Sequence, residues 1–151
     1  MSRQKVSRPM NQTKKKIYLS GPIMDALAGN EAASWRERAK ARLAENFVLL
    51  DPMPRNFKDR EVDSANEIVE FDLQDVRDAD ILLVNYNKPS IGTSMEVFYA
   101  AHDLGKFIVA FSPFSFKECS PWMVRHCTKI LGSLDEAVDY IRENFIAWHV
   151  D

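Results

Sequence analysis

The chain has 151 residues, 46% of them hydrophobic, and a formal net charge of −2. That length suits one domain with a proper core and is too short for two comfortable ones. A nearly balanced charge offers no broad basic field, which argues against nucleic-acid polymers and anionic membranes as partners and favours small molecules. No run approaches the roughly 20 apolar residues of a membrane-spanning helix.

The chain opens with Arg3, Lys5, Arg8, Lys14, Lys15 and Lys16 and no acid. Residues 1–15 therefore read as a disordered basic tail, and 16–151 as a single domain. The tail lacks the apolar centre of a secretory signal, so a cytoplasmic location is expected. Next come short apolar runs at Ile17-Tyr18-Leu19, Phe47-Val48-Leu49-Leu50, Ile81-Leu82-Leu83-Val84 and Phe107-Ile108-Val109-Ala110-Phe111, with a weaker one at Thr128-Lys129-Ile130-Leu131. Continuous apolar runs of this kind suit strands buried on both faces. Helical patterns lie between them, near 31–45, 64–78, 93–104 and 133–145.

This alternation predicts an α/β protein with a five-stranded parallel sheet, laid out as a flavodoxin-like three-layer sandwich. The irregular stretches 21–30, 51–63 and 112–127 each follow a strand, leaving it at Gly21-Pro22, Asp51-Pro52 and Ser112-Pro113. Loops at strand C-termini carry the ligand site of such a sheet. Cys119 and Cys127 lie eight apart with His126 between them. That spacing matches neither a zinc-binding pair nor a disulfide framework, so reduced thiols and no metal are expected.

The segment Ser90-Ile91-Gly92-Thr93-Ser94-Met95-Glu96 follows the third strand and opens a helix. It is expected to place Glu96 in the first helical turn, facing the crevice. The purely structural alternative is a capping box, Thr93-x-x-Glu96, like those expected at Ser64-Ala65-Asn66-Glu67 and Ser133-Leu134-Asp135-Glu136. Asp72 falls on the apolar stripe formed by Ala65, Ile68, Val69, Val76 and Ala79, while Asp75 is expected to face water. A carboxylate on a buried stripe needs a partner, such as Arg77, Lys88 or a loop amide, or a chemical task. Burial raises a carboxyl pKa, so Asp72 is expected to hold a proton for a leaving group while Glu96 stays ionised as nucleophile. Two carboxylates with divided roles are the basis of retaining glycosyl chemistry. Tyr18, at the end of the first strand, is placed to hydrogen-bond Glu96 or simply to fill the core.

The ordered set Tyr18-Leu19-Ser20-Gly21-Pro22, Asp72, Gly92-Thr93-Ser94-Met95-Glu96 and Tyr99-Ala100 resembles the nucleoside 2-deoxyribosyltransferase family over most of residues 16–145. The resemblance implies that Glu96 attacks C1′ of a 2′-deoxynucleoside, Asp72 protonates the departing base and Tyr18 orients Glu96. A free nucleobase then attacks the deoxyribosyl ester with retention, without metal or cofactor. Such base exchange belongs to nucleotide salvage. Gly21, Ser90, Gly92 and Met95 are candidate substrate contacts. Ser120 and Met123 are candidates for completing a neighbouring subunit's site in a homodimer or higher homo-oligomer.

One position departs from the transferase pattern. Ser90 stands where transferases commonly carry an aspartate for the 5′-hydroxyl, and there the chain resembles the related 2′-deoxynucleoside 5′-monophosphate N-hydrolases. Asp25 in the first loop would in turn oppose a phosphate. Transfer is therefore the leading expectation and hydrolysis of the 5′-monophosphate the alternative. A nucleotide-binding sensor without turnover is third, since such folds host many functions. Asp51, Arg55 and Asn56 in the second loop have no assigned role at this level.

Overall fold

Five apolar runs become the strands of one sheet: β1 (Lys16–Ser20), β2 (Val48–Leu50), β3 (Ile81–Asn85), β4 (Phe107–Phe111) and β5 (Lys129–Leu131). The computed structural model describes residues 13–23, 29–55, 63–114 and 118–146; the tail through residue 12, Asp25 and Asn56 lie outside them. The strand order is β2-β1-β3-β4-β5 and every neighbouring pair is parallel, which is the flavodoxin-like arrangement. In the register of β1 on β3, Tyr18 pairs with Leu82 and Ser20 with Val84.

Strand residues alternate between two faces, and each face has its own core. Ile17, Leu19, Ile81, Leu83, Val109 and Phe111 pack under α1 (Gly29–Leu43) and α5 (Leu134–Phe145). Helix α5 is held there by Leu134, Ala137, Val138 and Ile141, whose spacing makes one apolar stripe. On the other face, Tyr18, Leu82, Val84, Ile108 and Ala110 meet Val76 of α2 (Ala65–Asp78), Val97 of α3 (Ile91–Phe98) and Met123 of α4 (Pro121–His126).

Four local features differ from the sequence expectation. The stretch 112–127 is not wholly irregular, because Ser120 caps the short helix α4, its Oγ accepting from Trp122 N at 3.2 Å. Helix α3 begins at Ile91, not at residue 93, because Ser90 is its N-cap and accepts from Thr93 N at 3.4 Å. Glu96 is thus one turn inside the helix, and the Thr93 capping box does not form. Helix α3 continues into a π-helical turn, Tyr99–Asp103, and Gly105, with a φ of 60°, turns the chain back toward β4.

The stripe of α2 is buried only toward its end. Val76 and Ala79 have no exposure, whereas Val69 is 51% exposed. A crossover helix runs antiparallel to the strands, so the N-terminal half of α2 lies at the strand C-termini, beside the crevice and not over the sheet. Ser64 caps α2 without a side-chain hydrogen bond, while Ser133 does accept from Glu136 N at 3.2 Å.

Candidate active site

The strand order reverses between β1 and β3, and an open α/β sheet has its ligand crevice at that switch point. Tyr18 and Ser20 are two apart on β1, so both point to the α2 and α3 side. There Ser20 Oγ donates to Glu96 Oε1 at 3.2 Å, joining the exit of β1 to the second turn of α3. Glu96 is only 8% exposed, and among the described residues no polar atom stands in hydrogen-bond geometry to its Oε2. Burial pushes the Glu96 carboxyl up to about 8. The Tyr18 hydroxyl, Ser20 and the more distant Arg36 pull it back, while the charge of Asp72 raises it further. Tyr18 is itself pushed up, chiefly by burial and then by the charge of Glu96.

Asp72 lies on α2, half-buried, with a partner that its helix does not reveal. Arg55, from the loop after β2, forks across α2, its Nη2 donating to Asp72 Oδ1 at 2.9 Å and its Nη1 to Asp75 Oδ2 at 2.8 Å. Arg77, one of the partners considered from sequence, turns to Gln74 and Tyr99, and Asp75 is not simply turned to water. Burial raises the Asp72 carboxyl and the Arg55 ion pair opposes it. The expected division of protons is therefore not what the chain by itself displays. Glu96 is the deeper group and, among the described residues, has no cation in contact, so burial keeps its proton on well into the neutral range.

Arg36 of α1 is fully buried at the same end of β1. Its Nε donates to Leu19 O at 3.2 Å, its Nη2 to Gly21 O at 3.0 Å and its Nη1 to Ala32 O at 2.8 Å. Asp51, at the exit of β2, lies 3.9 Å from Arg36 Nε and also takes the ammonium of Lys40. Gly21 fits tightly here, since a Cβ on it would stand 3.0 Å from Trp35 Cζ2 and 3.1 Å from Asn85 Cβ. Ser20 and Arg36 escaped the sequence reading, although both left a signal. Ser20 shares the parity of Tyr18, and Arg36 interrupts the buried stripe Ala32, Ala39 and Leu43 as Asp72 interrupts its own.

The remaining candidates gather elsewhere. Ser90, Met95, Ser120 and Met123 line a cavity of about 610 Å³ between α3 and α4 that Tyr18, Asp72 and Glu96 do not line. Gly92 is exposed in the first turn of α3, with open space where a Cβ would stand. Around the cavity Ile91 is 83%, Met95 65% and Trp122 69% exposed, and Phe98 packs against Trp122 and His126. Cys119 and Cys127 are unbridged, and burial pushes the Cys127 thiol up to about 12. Among the described residues no group of His, Cys, Asp and Glu could hold a metal ion, and no helix is long and apolar enough to cross a membrane.

Comparison with known proteins bears directly on this geometry. No curated protein matches the chain significantly. Among solved structures, a conserved protein from Enterococcus faecalis V583 superposes with a TM-score of 0.68 at 14% identity, covering 88% of this chain and 100% of that one. A 2-deoxyribosyltransferase from the psychrotolerant bacterium Bacillus psychrosaccharolyticus gives a TM-score of 0.65 at 18% identity, covering 83% of this chain and 91% of that one. A CMP N-glycosidase from Clostridium botulinum gives 0.57 at 16% identity, covering 85% and 99%. At such identities these likenesses establish the fold. The family model described as nucleoside 2-deoxyribosyltransferase matches residues 17–133, a span that holds Tyr18, Ser20, Asp72 and Glu96, and the chain accordingly belongs to the nucleoside 2-deoxyribosyltransferase family.

Proposed function

We propose that the protein exchanges the base of 2′-deoxynucleosides through a covalent deoxyribosyl ester on Glu96. The observation that carries this reading is the asymmetry of the Glu96 carboxyl: Oε1 is held by Ser20, while Oε2 is buried and has no hydrogen-bond partner among the described residues. A buried polar oxygen left unpaired is costly, and such oxygens concentrate where a reaction uses them. Oε2 attacks C1′, the bond to the base breaks through an oxocarbenium-like state, and the proton for the departing base comes from Asp72. A second base then attacks C1′, its ring N–H proton passing to the Asp72 carboxylate, and the bond from C1′ to Glu96 breaks to release the carboxylate. The developing positive charge on the sugar favours the ionised carboxyl, offsetting the burial that keeps Glu96 protonated in the chain alone. Tyr18, beside the carboxyl, fixes its orientation.

Hydrolysis of 2′-deoxynucleoside 5′-monophosphates is the second reading, and Ser90 favours it. A neutral serine at the N-terminus of α3 does not repel a phosphate as an aspartate would. The apolar face of Ile91, Met95 and Trp122 supports a homo-oligomer in which Ser120 and Met123 complete a neighbour's site.

Incubation with deoxyinosine and adenine, and separately with a deoxynucleoside 5′-monophosphate, followed by chromatography, tests both. Deoxyadenosine from the first mixture supports transfer, and free base with deoxyribose 5-phosphate from the second supports hydrolysis. Product from neither leaves a binding protein. Glu96→Ala is expected to lower turnover at least ~10³-fold with the fold retained.

A further inference from the structure

Among the described residues Ser20 donates to the Glu96 carboxyl at 3.2 Å, with the Tyr18 hydroxyl beside it, so whatever fixes Ser20 helps to fix the nucleophile. The residues on either side of it, Leu19 and Gly21, have their carbonyls tied to a single side chain, the guanidinium of Arg36. A third tie to Ala32 O, one turn back on α1, sets the guanidinium against its own helix. At Gly21 itself, Trp35 Cζ2 and Asn85 Cβ stand 3.0 Å and 3.1 Å from where a Cβ would be, so only glycine fits between the clamp and the core. We propose that Arg36 is a positioning residue for the reaction at Glu96, clamping the backbone on both sides of Ser20 and presenting a buried positive charge toward the carboxylate. This rests on the reading of Glu96 as nucleophile.

The same geometry assigns a part to Asp51. Arg36 carries a permanent charge with no exposure, and Asp51, shared with Lys40, is the anion beside it. Asp51 therefore moderates how strongly Arg36 acts on Glu96. Among the described residues the charged and titratable groups acting on Glu96 include Tyr18 from β1, Arg36 from α1 and Asp72 from α2, while Asp75 acts on Tyr18 and Arg55 on Asp72. Removing Arg36 and removing Asp51 must then shift the ionisation of Glu96 in opposite directions. A merely structural role for either residue would not produce opposite signs.

The test is a ¹³C NMR titration of glutamate-labelled protein, with the Glu96 carboxyl signal identified by its loss in Glu96→Gln. Arg36→Met is expected to raise the Glu96 midpoint and Asp51→Asn, by freeing the Arg36 charge, to lower it. The asparagine still offers the oxygen that accepts from Met53 N, so this variant keeps the local turn. Arg36→Lys keeps the charge but not the three-way clamp, so it is expected to hold the midpoint while lowering kcat more than it changes KM. An unmoved midpoint in both Arg36→Met and Asp51→Asn overturns the inference. If Arg36→Met does not fold, Asp51→Asn decides alone, a lowered midpoint supporting it and an unchanged one overturning it. Shifted midpoints in a protein without base exchange would instead reject the function proposed for Glu96 and leave the electrostatic arrangement standing.

Discussion

Replacing Glu96 by glutamine separates the cost of the buried carboxyl from its use. The folded protein holds this carboxyl at about 8, against an ordinary value of 4.5. Between those values the folded state keeps a proton that the unfolded state has lost, so the native carboxyl costs stability as pH rises. Below about 4.5 there is no penalty, at pH 7 it is about 3 kcal/mol, and above 8 it levels off at about 5 kcal/mol as an upper bound. Glutamine is neutral throughout, and its oxygen can still accept from Ser20. Glu96→Gln is therefore expected to match the wild type in urea unfolding near pH 4.5 and to exceed it progressively up to pH 8.5, while losing base exchange. Comparing the two proteins at each pH cancels the titration of the groups that are not coupled to Glu96. A stability difference that does not grow with pH would refute the assigned burial of Glu96.

In the proposed reaction, kcat/KM should climb between pH 6 and 8 as Glu96 ionises, and a flat profile over that range would exclude it as the limiting base. Arg55→Ala removes the cation that opposes proton retention on Asp72, so the alkaline limb of the profile should move upward; an unmoved limb would mean that Asp72 is not the acid. Ser20→Ala should slow exchange roughly tenfold, the worth of one hydrogen bond to a charged group, read from initial rates against the wild type. Trp122→Glu places a charge on the exposed apolar face and should turn an oligomer into a monomer by sedimentation. An unchanged assembly would place the interface elsewhere.

Strands β3 and β4 were legible because both of their faces are buried, which leaves an uninterrupted apolar run in the sequence. Helix α4 was not, because six residues are too few to display a period, and its only signal is Ser120 before Pro121. The capping assignment failed where Ser90 and Thr93 both suit an N-cap; the winner bonds Thr93 through both its amide and its hydroxyl, at 3.4 Å and 3.1 Å. Asp72 was singled out by its place on an apolar stripe, yet its partner arrives from a loop whose path no periodicity records. The π-helical turn leaves no mark in a pattern built on 3.6 residues. Gly21, singled out as a candidate substrate contact, also has a packing reason to lack a side chain, one that depends on Trp35 and Asn85, far away in sequence.

The two faces of the sheet divide the labour of this molecule. The side under α1 and α5 is nearly all hydrocarbon, and the side under α2 and α3 bears the acids and the phenol. Evolution, or an engineer, can thus rebuild Leu134, Val138 and Ile141 for heat resistance without disturbing reactivity. Arg36 is where that freedom ends, since it ties α1 to the backbone on either side of Ser20.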